Sequence, residues 1–80
     1  MERVELGEYI VADPRICHGQ LTFRGTRILV RMVLEYVAEG LDWDEIVRDY
    51  GHSFPREAIA EAVRLAARAV DAQPEMKLAA

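Results

Sequence analysis

Apolar positions come first in short runs and later at helical spacing, and this change of period divides the chain. Glu8-Tyr-Ile-Val-Ala12 is apolar and β-prone. Asp13-Pro14 ends it, because proline cannot donate to a ladder and restricts the residue before it. Gln20-Leu-Thr-Phe23 alternates polar and apolar residues, the mark of a second strand with one buried face, and Gly19 and Gly25 bracket it. The two runs predict a loose N-terminal hairpin. A hairpin alone is marginal in water, so one face needs a helix or a second subunit.

From Val30 the spacing becomes helical. Val30, Val33, Leu34 and Val37 recur at i, i+3, i+4 and i+7, and Gly40 stands at the usual left-handed stop. Asp42-Trp-Asp-Glu45 resembles a capping box at the start of a second helix, whose apolar face is Trp43, Ile46, Val47 and Tyr50 and whose end is Gly51. Pro55 is placed to open a third helix, after Ser53 or Phe54, running to about Ala72. Its expected stripe is Ile59, Ala62, Val63, Ala66 and Val70. Glu57, Glu61, Arg64 and Arg68 are expected on the opposite, solvated side, with Leu65, Ala69, Met32 and Tyr36 as spare apolar surface.

The predicted fold is therefore mostly α with a small β component: an N-terminal β-hairpin followed by a three-helix bundle of helix-turn-helix outline. Residues 1–73 form one domain and residues 74–80 a short tail. A chain of 80 residues has a thin core, which makes pairing with a second copy, a homodimer, an attractive source of stability. A single cysteine, Cys17, cannot form an internal bridge and fits a reducing, cytoplasmic setting. The charged opening Met1-Glu-Arg-Val-Glu lacks the apolar segment of an export signal, and no apolar run approaches the ~20 residues that span a bilayer.

Charge changes the picture more than composition does. The formal net charge is −4, which argues against a protein that coats nucleic acid by bulk attraction. Yet no acid lies between Asp13 and Glu35, while Arg15, Arg24, Arg27 and Arg31 do. That segment carries +4 and leaves −8 for the remainder of the chain. Arginine holds its charge when partly buried and presents a flat fork of donors to carboxylates or phosphates.

Several runs in this region form a pattern: Asp13-Pro14, Ile16-Cys17, Gly19, Gly25-Thr26-Arg27-Ile28 and Gly40. It continues with Asp44-Glu45-Ile46, Tyr50 and the Ala-rich stretch from Glu57 to Ala67. This pattern resembles the bacterial family known as domain of unknown function 433, over about Tyr9 to Val70. The resemblance implies a helix-turn-helix-like fold. It also implies an antitoxin role in a type II toxin–antitoxin pair, beside a PIN-like ribonuclease; the helix-turn-helix outline adds operator DNA as a further expected ligand. Stand-alone DNA-binding regulators and non-enzymatic structural or adaptor domains are the competing expectations.

The residues assign roles within that frame. Gly25 permits a sharp turn, Thr26 can bond nearby backbone, and Arg27 is then carried on a short connection. Arg27 either ties the hairpin to a carboxylate or joins Arg24 and Arg31 in a basic patch for an acidic partner, with Arg15 at its margin. In a DNA reader the first turns of the third helix meet the bases, which nominates Arg56 and Arg64, against the cost of Glu57 and Glu61 facing phosphates. Cys17, His18, His52 and Asp13 lack the paired spacing of a structural zinc site, and Cys17 has no evident base. Cys17 reads instead as a small buried hydrophobe. No catalysis, no metal and no cofactor are expected.

Overall fold

A computed structural model describes residues 2–72. The predicted tail, residues 74–80, lies outside the described residues. Three short strands come first, β1 (Val4–Glu5), β2 (Ile10–Ala12) and β3 (Leu21–Phe23), followed by helices α1 (Val30–Ala38), α2 (Trp43–Asp49) and α3 (Arg56–Asp71). The fold is thus the expected small β component followed by three helices. The sheet, however, has three antiparallel strands in the order β1-β2-β3, not two. Ile10 pairs with Phe23, Val11 with Thr22 and Ala12 with Leu21, while Val4 pairs with Ala12.

Both interhelical stops are Schellman motifs, which satisfy the last orphan carbonyls of a helix through a left-handed residue. After α1, Leu41 N–H donates to Tyr36 O (3.1 Å) and Gly40 N–H to Val37 O (3.0 Å), with Gly40 at φ +88°. After α2, His52 N–H donates to Val47 O and Gly51 N–H to Arg48 O, both at 2.9 Å. Asp42 caps α2 by accepting from Asp44 N–H at 3.1 Å. Pro55 is the N-cap of α3, so the helix starts at Arg56, one place later than the sequence suggests. Ser53 caps nothing there; its hydroxyl donates back to Tyr50 O at 2.7 Å.

One face of the sheet and all three helices share a core of Ile10, Phe23, Val30, Val33, Ile46, Val47, Phe54, Ala58, Ile59 and Ala62. Phe54, in the loop before α3, stacks on Phe23 with ring centroids 4.3 Å apart and an interplanar angle of 19°. The inward face of α3 is rotated from the expected stripe. Ala58, Ile59 and Ala62 are buried and Leu65 packs against the core, whereas Val70 is 49% exposed. Tyr36 also packs on the core, so of the residues read as spare surface Met32 remains exposed on α1.

The rotation gives Glu61 a different task from pairing with arginines on a solvated helix face. Its carboxylate accepts from the backbone amides of Glu8 (3.0 Å) and Tyr9 (2.9 Å), fastening α3 to the β1–β2 connection. Gly7 makes room: a Cβ there would lie 2.5 Å from Glu61 Oε1.

Candidate functional site

The link between β3 and α1 is built from the inside out. Phe23 to Thr26 close a turn through Thr26 N–H to Phe23 O at 3.0 Å, and Gly25 takes the left-handed φ of +77° that this turn requires. The Thr26 hydroxyl donates to Phe23 O at 2.8 Å and accepts from Ile28 N–H at 3.0 Å. Phe23 N–H in turn donates to Ile28 O at 3.1 Å, and Leu29 bridges to Thr22. Thr26, expected to bond nearby backbone, does so and pins the turn. Ile28 packs against the core. The thiol of Cys17 donates to Arg27 O at 3.6 Å, so the backbone of Arg27 is held by the neighbouring loop as well.

Arg27 and Arg31 are both exposed, and neither has a hydrogen bond or ion pair from its guanidinium among the described residues. Arg31 sits in the first turn of α1, where there is no acid and where the N-cap, Leu29, offers no side-chain acceptor. The positive end of the helix dipole adds to both cations there. Two guanidiniums without a hydrogen bond or ion pair among the described residues thus gather at this end of α1.

The other nominated arginines are engaged. Arg24 wraps the β1–β2 connection: Nε donates to Glu8 O (2.8 Å), Nη2 to Gly7 O (3.0 Å) and Nη1 to Glu5 Oε2 (2.9 Å). The Arg24 guanidinium, with that of Arg3, holds the Glu5 carboxyl below the usual carboxylate range. Arg15 grips Asp13 through Nε and Nη2, both at 3.1 Å, and its amide donates to Oδ1 at 2.9 Å. These bonds lower the Asp13 carboxyl from its ordinary value. Most of the Arg15 side chain nonetheless faces solvent, 81% exposed. Arg56 donates to Asp44 Oδ1 at 3.1 Å and lies over the Trp43 ring at 5.2 Å. Arg64 is exposed on α3 and has no partner among the described residues. The structure thus separates the nominated cations into structural ties (Arg15, Arg24, Arg56) and unengaged guanidiniums (Arg27, Arg31, Arg64).

Cys17 is half-exposed, not the buried hydrophobe expected of it. Cys17, His18 and Gly19 form a left-handed turn with φ of +51°, +58° and +83°. Among the described residues no group of three or more His, Cys, Asp or Glu side chains is placed to hold a metal ion. No described helix is long and apolar enough to cross a membrane.

Sequence reasoning missed Glu61 and the Asp13–Arg15 tie. The second had a local signal, since Asp-Pro-Arg is a favourable frame for an Asx turn in which Asp accepts from the amide two residues on. Glu61 had none, as its partners lie 52 and 53 residues away.

No curated protein and no solved structure matches the chain. The sequence profile described as "Protein of unknown function (DUF433)" matches residues 10–66. That span runs from the first core strand into α3, and so contains the pinned turn, Arg27, Arg31 and the clamp residue Glu61. By this match over most of its length, the chain belongs to the DUF433 family.

Proposed function

We propose that this protein is a non-catalytic, antitoxin-like binding protein whose cationic end of α1 docks on a carboxylate-rich partner, a PIN-like ribonuclease. One observation carries the reading. In the run Gly25-Thr26-Arg27-Ile28, three members serve the turn or the core, while the side chain of Arg27 has no partner among the described residues. A rigid mount beneath an unengaged guanidinium lowers the entropy lost when that group binds. Arg31 adds a second fork at the same helix end. A nuclease that gathers carboxylates around a metal offers the complementary charge, and arginine matches carboxylates with two parallel bonds. In this reading the protein acts in the cytoplasm as a homodimer.

The test is affinity capture from the native host with tagged wild type and with the double variant Arg27→Glu, Arg31→Glu. Wild type is expected to retain a small ribonuclease and suppress its activity, and the double variant to bind at least about tenfold more weakly, as for charge pairs at an interface. Capture without any nuclease sinks the antitoxin reading; equal capture by both forms removes the arginines from the contact.

The α2–turn–α3 outline favours a second reading, operator binding. Arg64 is free to contribute, but Arg56 would have to leave Asp44 and Trp43. A shift of promoter DNA that weakens steeply with salt and is reduced by Arg64→Ala would support it.

A further inference from the structure

The cleft where α1 ends against α2 has the opposite electrostatic character to the cationic end of α1. Tyr36, Leu41, Ile46, Asp49 and Tyr50 line a volume of about 260 Å³. Ile46 is fully buried, and Leu41 packs beside it on the core, giving an aliphatic floor. The rings of Tyr36 and Tyr50 are the two walls, with centroids 6.4 Å apart and planes inclined at 54°. Asp49 stands at the rim, exposed, with no hydrogen bond or ion pair among the described residues.

The helix ends bring the residues of this cleft together. Tyr36 is the residue whose carbonyl receives Leu41 N–H in the Schellman motif, so the α1 stop itself brings Tyr36 and Leu41 together. Tyr50 is braced from behind by Phe54, whose ring lies 5.7 Å away at 42° and stacks in turn on Phe23.

Aromatic faces carry negative potential and attract cations, most strongly when partly desolvated. An unpaired carboxylate at the rim adds a charge of the same sense, and an aliphatic floor suits the methylene stem of a long cationic group. An anion would meet Asp49 unfavourably, and a neutral apolar group would gain from the floor alone. The Tyr50 phenol pKa is raised, by burial first and then by Tyr36 and Asp49. The volume lies just below the range typical of drug-sized ligand sites, which suits one head group with its stem.

We propose that this cleft recognises an organic cation, a guanidinium or alkylated ammonium head on an aliphatic stem. Such a head is presented by a basic side chain of a partner chain or by a free quaternary amine. The proposal is independent of the antitoxin reading, because it uses none of the same residues.

The test follows backbone amide shifts of the full chain during titration with choline and, separately, with N-acetyl-arginine amide. Each has a neutral counterpart of the same shape, 3,3-dimethylbutan-1-ol and N-acetyl-citrulline amide. Saturable shifts at Tyr36, Leu41, Asp49 and Tyr50 at millimolar concentration are expected for at least one cation, with the neutral counterpart about fivefold weaker or worse. Preference for choline assigns the site to a free quaternary amine, and preference for the arginine amide to a basic side chain. Asp49→Asn changes an exposed residue and should weaken the cation about threefold or more while leaving its neutral counterpart unmoved. Equal binding of neutral and charged forms, no shifts at these residues, or an unchanged Asp49→Asn affinity each overturns the proposal.

Discussion

Glu61 shows how a side chain that looks like surface becomes a fastening. Its carboxylate takes two backbone amides of the β1–β2 connection, and the missing Cβ of Gly7 is what lets it approach. Bonds from neutral donors to a charged acceptor contribute about 1.5–3 kcal/mol each when sheltered, and less where water competes, as it does for this half-buried group. Glu61→Ala is therefore expected to cost about 1–2 kcal/mol in urea unfolding. Gly7→Ala should cost a similar amount, since the new methyl displaces the same carboxylate. The two changes should not add, because each removes one shared interaction. Additive losses would show that Gly7 serves some other contact. An acid three positions from an arginine invites a local pairing, and Glu61 and Arg64 stand at that spacing. The actual partners are distant in sequence, and local spacing held no sign of them.

At the scale of elements, what could be read and what could not divide along the same line. The three helices and both main strands follow from period and punctuation: Gly40, Gly51 and Asp42 take the stop and cap positions that their chemistry favours. The two-residue strand β1 was not legible. Its residues are exposed, alternate in nothing, and become a strand through pairing with Val11 and Ala12. The inward face of α3 was misjudged by a rotation, because a helix rich in alanine and valine offers two apolar arcs of similar strength, and packing on α1 and β2 selects the one with Ala58 and Leu65. In the candidate site, Gly25, Thr26 and Arg27 were legible as a turn, the hydroxyl that bonds its backbone and the cation it carries, whereas Arg24 as a tie depends on contacts closed by the fold. Phe54 is the residue through which these elements meet. It stacks on Phe23 of the sheet, meets Tyr50 at the end of α2 in a tilted ring contact, and precedes the first turn of α3. Phe54→Ala is expected to cost about 3–5 kcal/mol, enough to threaten a domain of this size. A loss below about 1 kcal/mol in denaturant titration would mean that the stacked pair is not central to the core.

Across the whole molecule, carboxylates reinforce the small sheet and its turns beyond the apolar core and the strand ladder: Glu5 bonds Arg24, Asp13 bonds Arg15, and Glu61 takes two backbone amides. The sign of the pH dependence follows from the first two. Both carboxyls titrate below their ordinary range in the folded chain, chiefly because of the guanidinium bonds. The unfolded chain therefore binds more protons than the folded one in acid. The stabilisation is fully present above the ordinary carboxyl pKa and is lost as pH falls through the lowered folded values. Arg15 and Arg24 shift upward from an already high value and so stay charged throughout this window. Asp13 is the sharper probe, being 4% exposed as a residue while its partner reaches into solvent. The difference in thermal midpoint between wild type and Asp13→Asn should stay constant from neutral pH to about pH 5 and close towards about pH 2. Salt should narrow the gap for the more exposed Glu5→Gln variant more than for Asp13→Asn, because screening acts most on solvated pairs. A gap for Asp13→Asn that persists undiminished at the acid end would assign its role to the shape of the Asp13–Pro14–Arg15 turn and not to the charge. The sheet would then be fixed by backbone geometry, and only Glu61 and Glu5 would remain as its ionic fastenings.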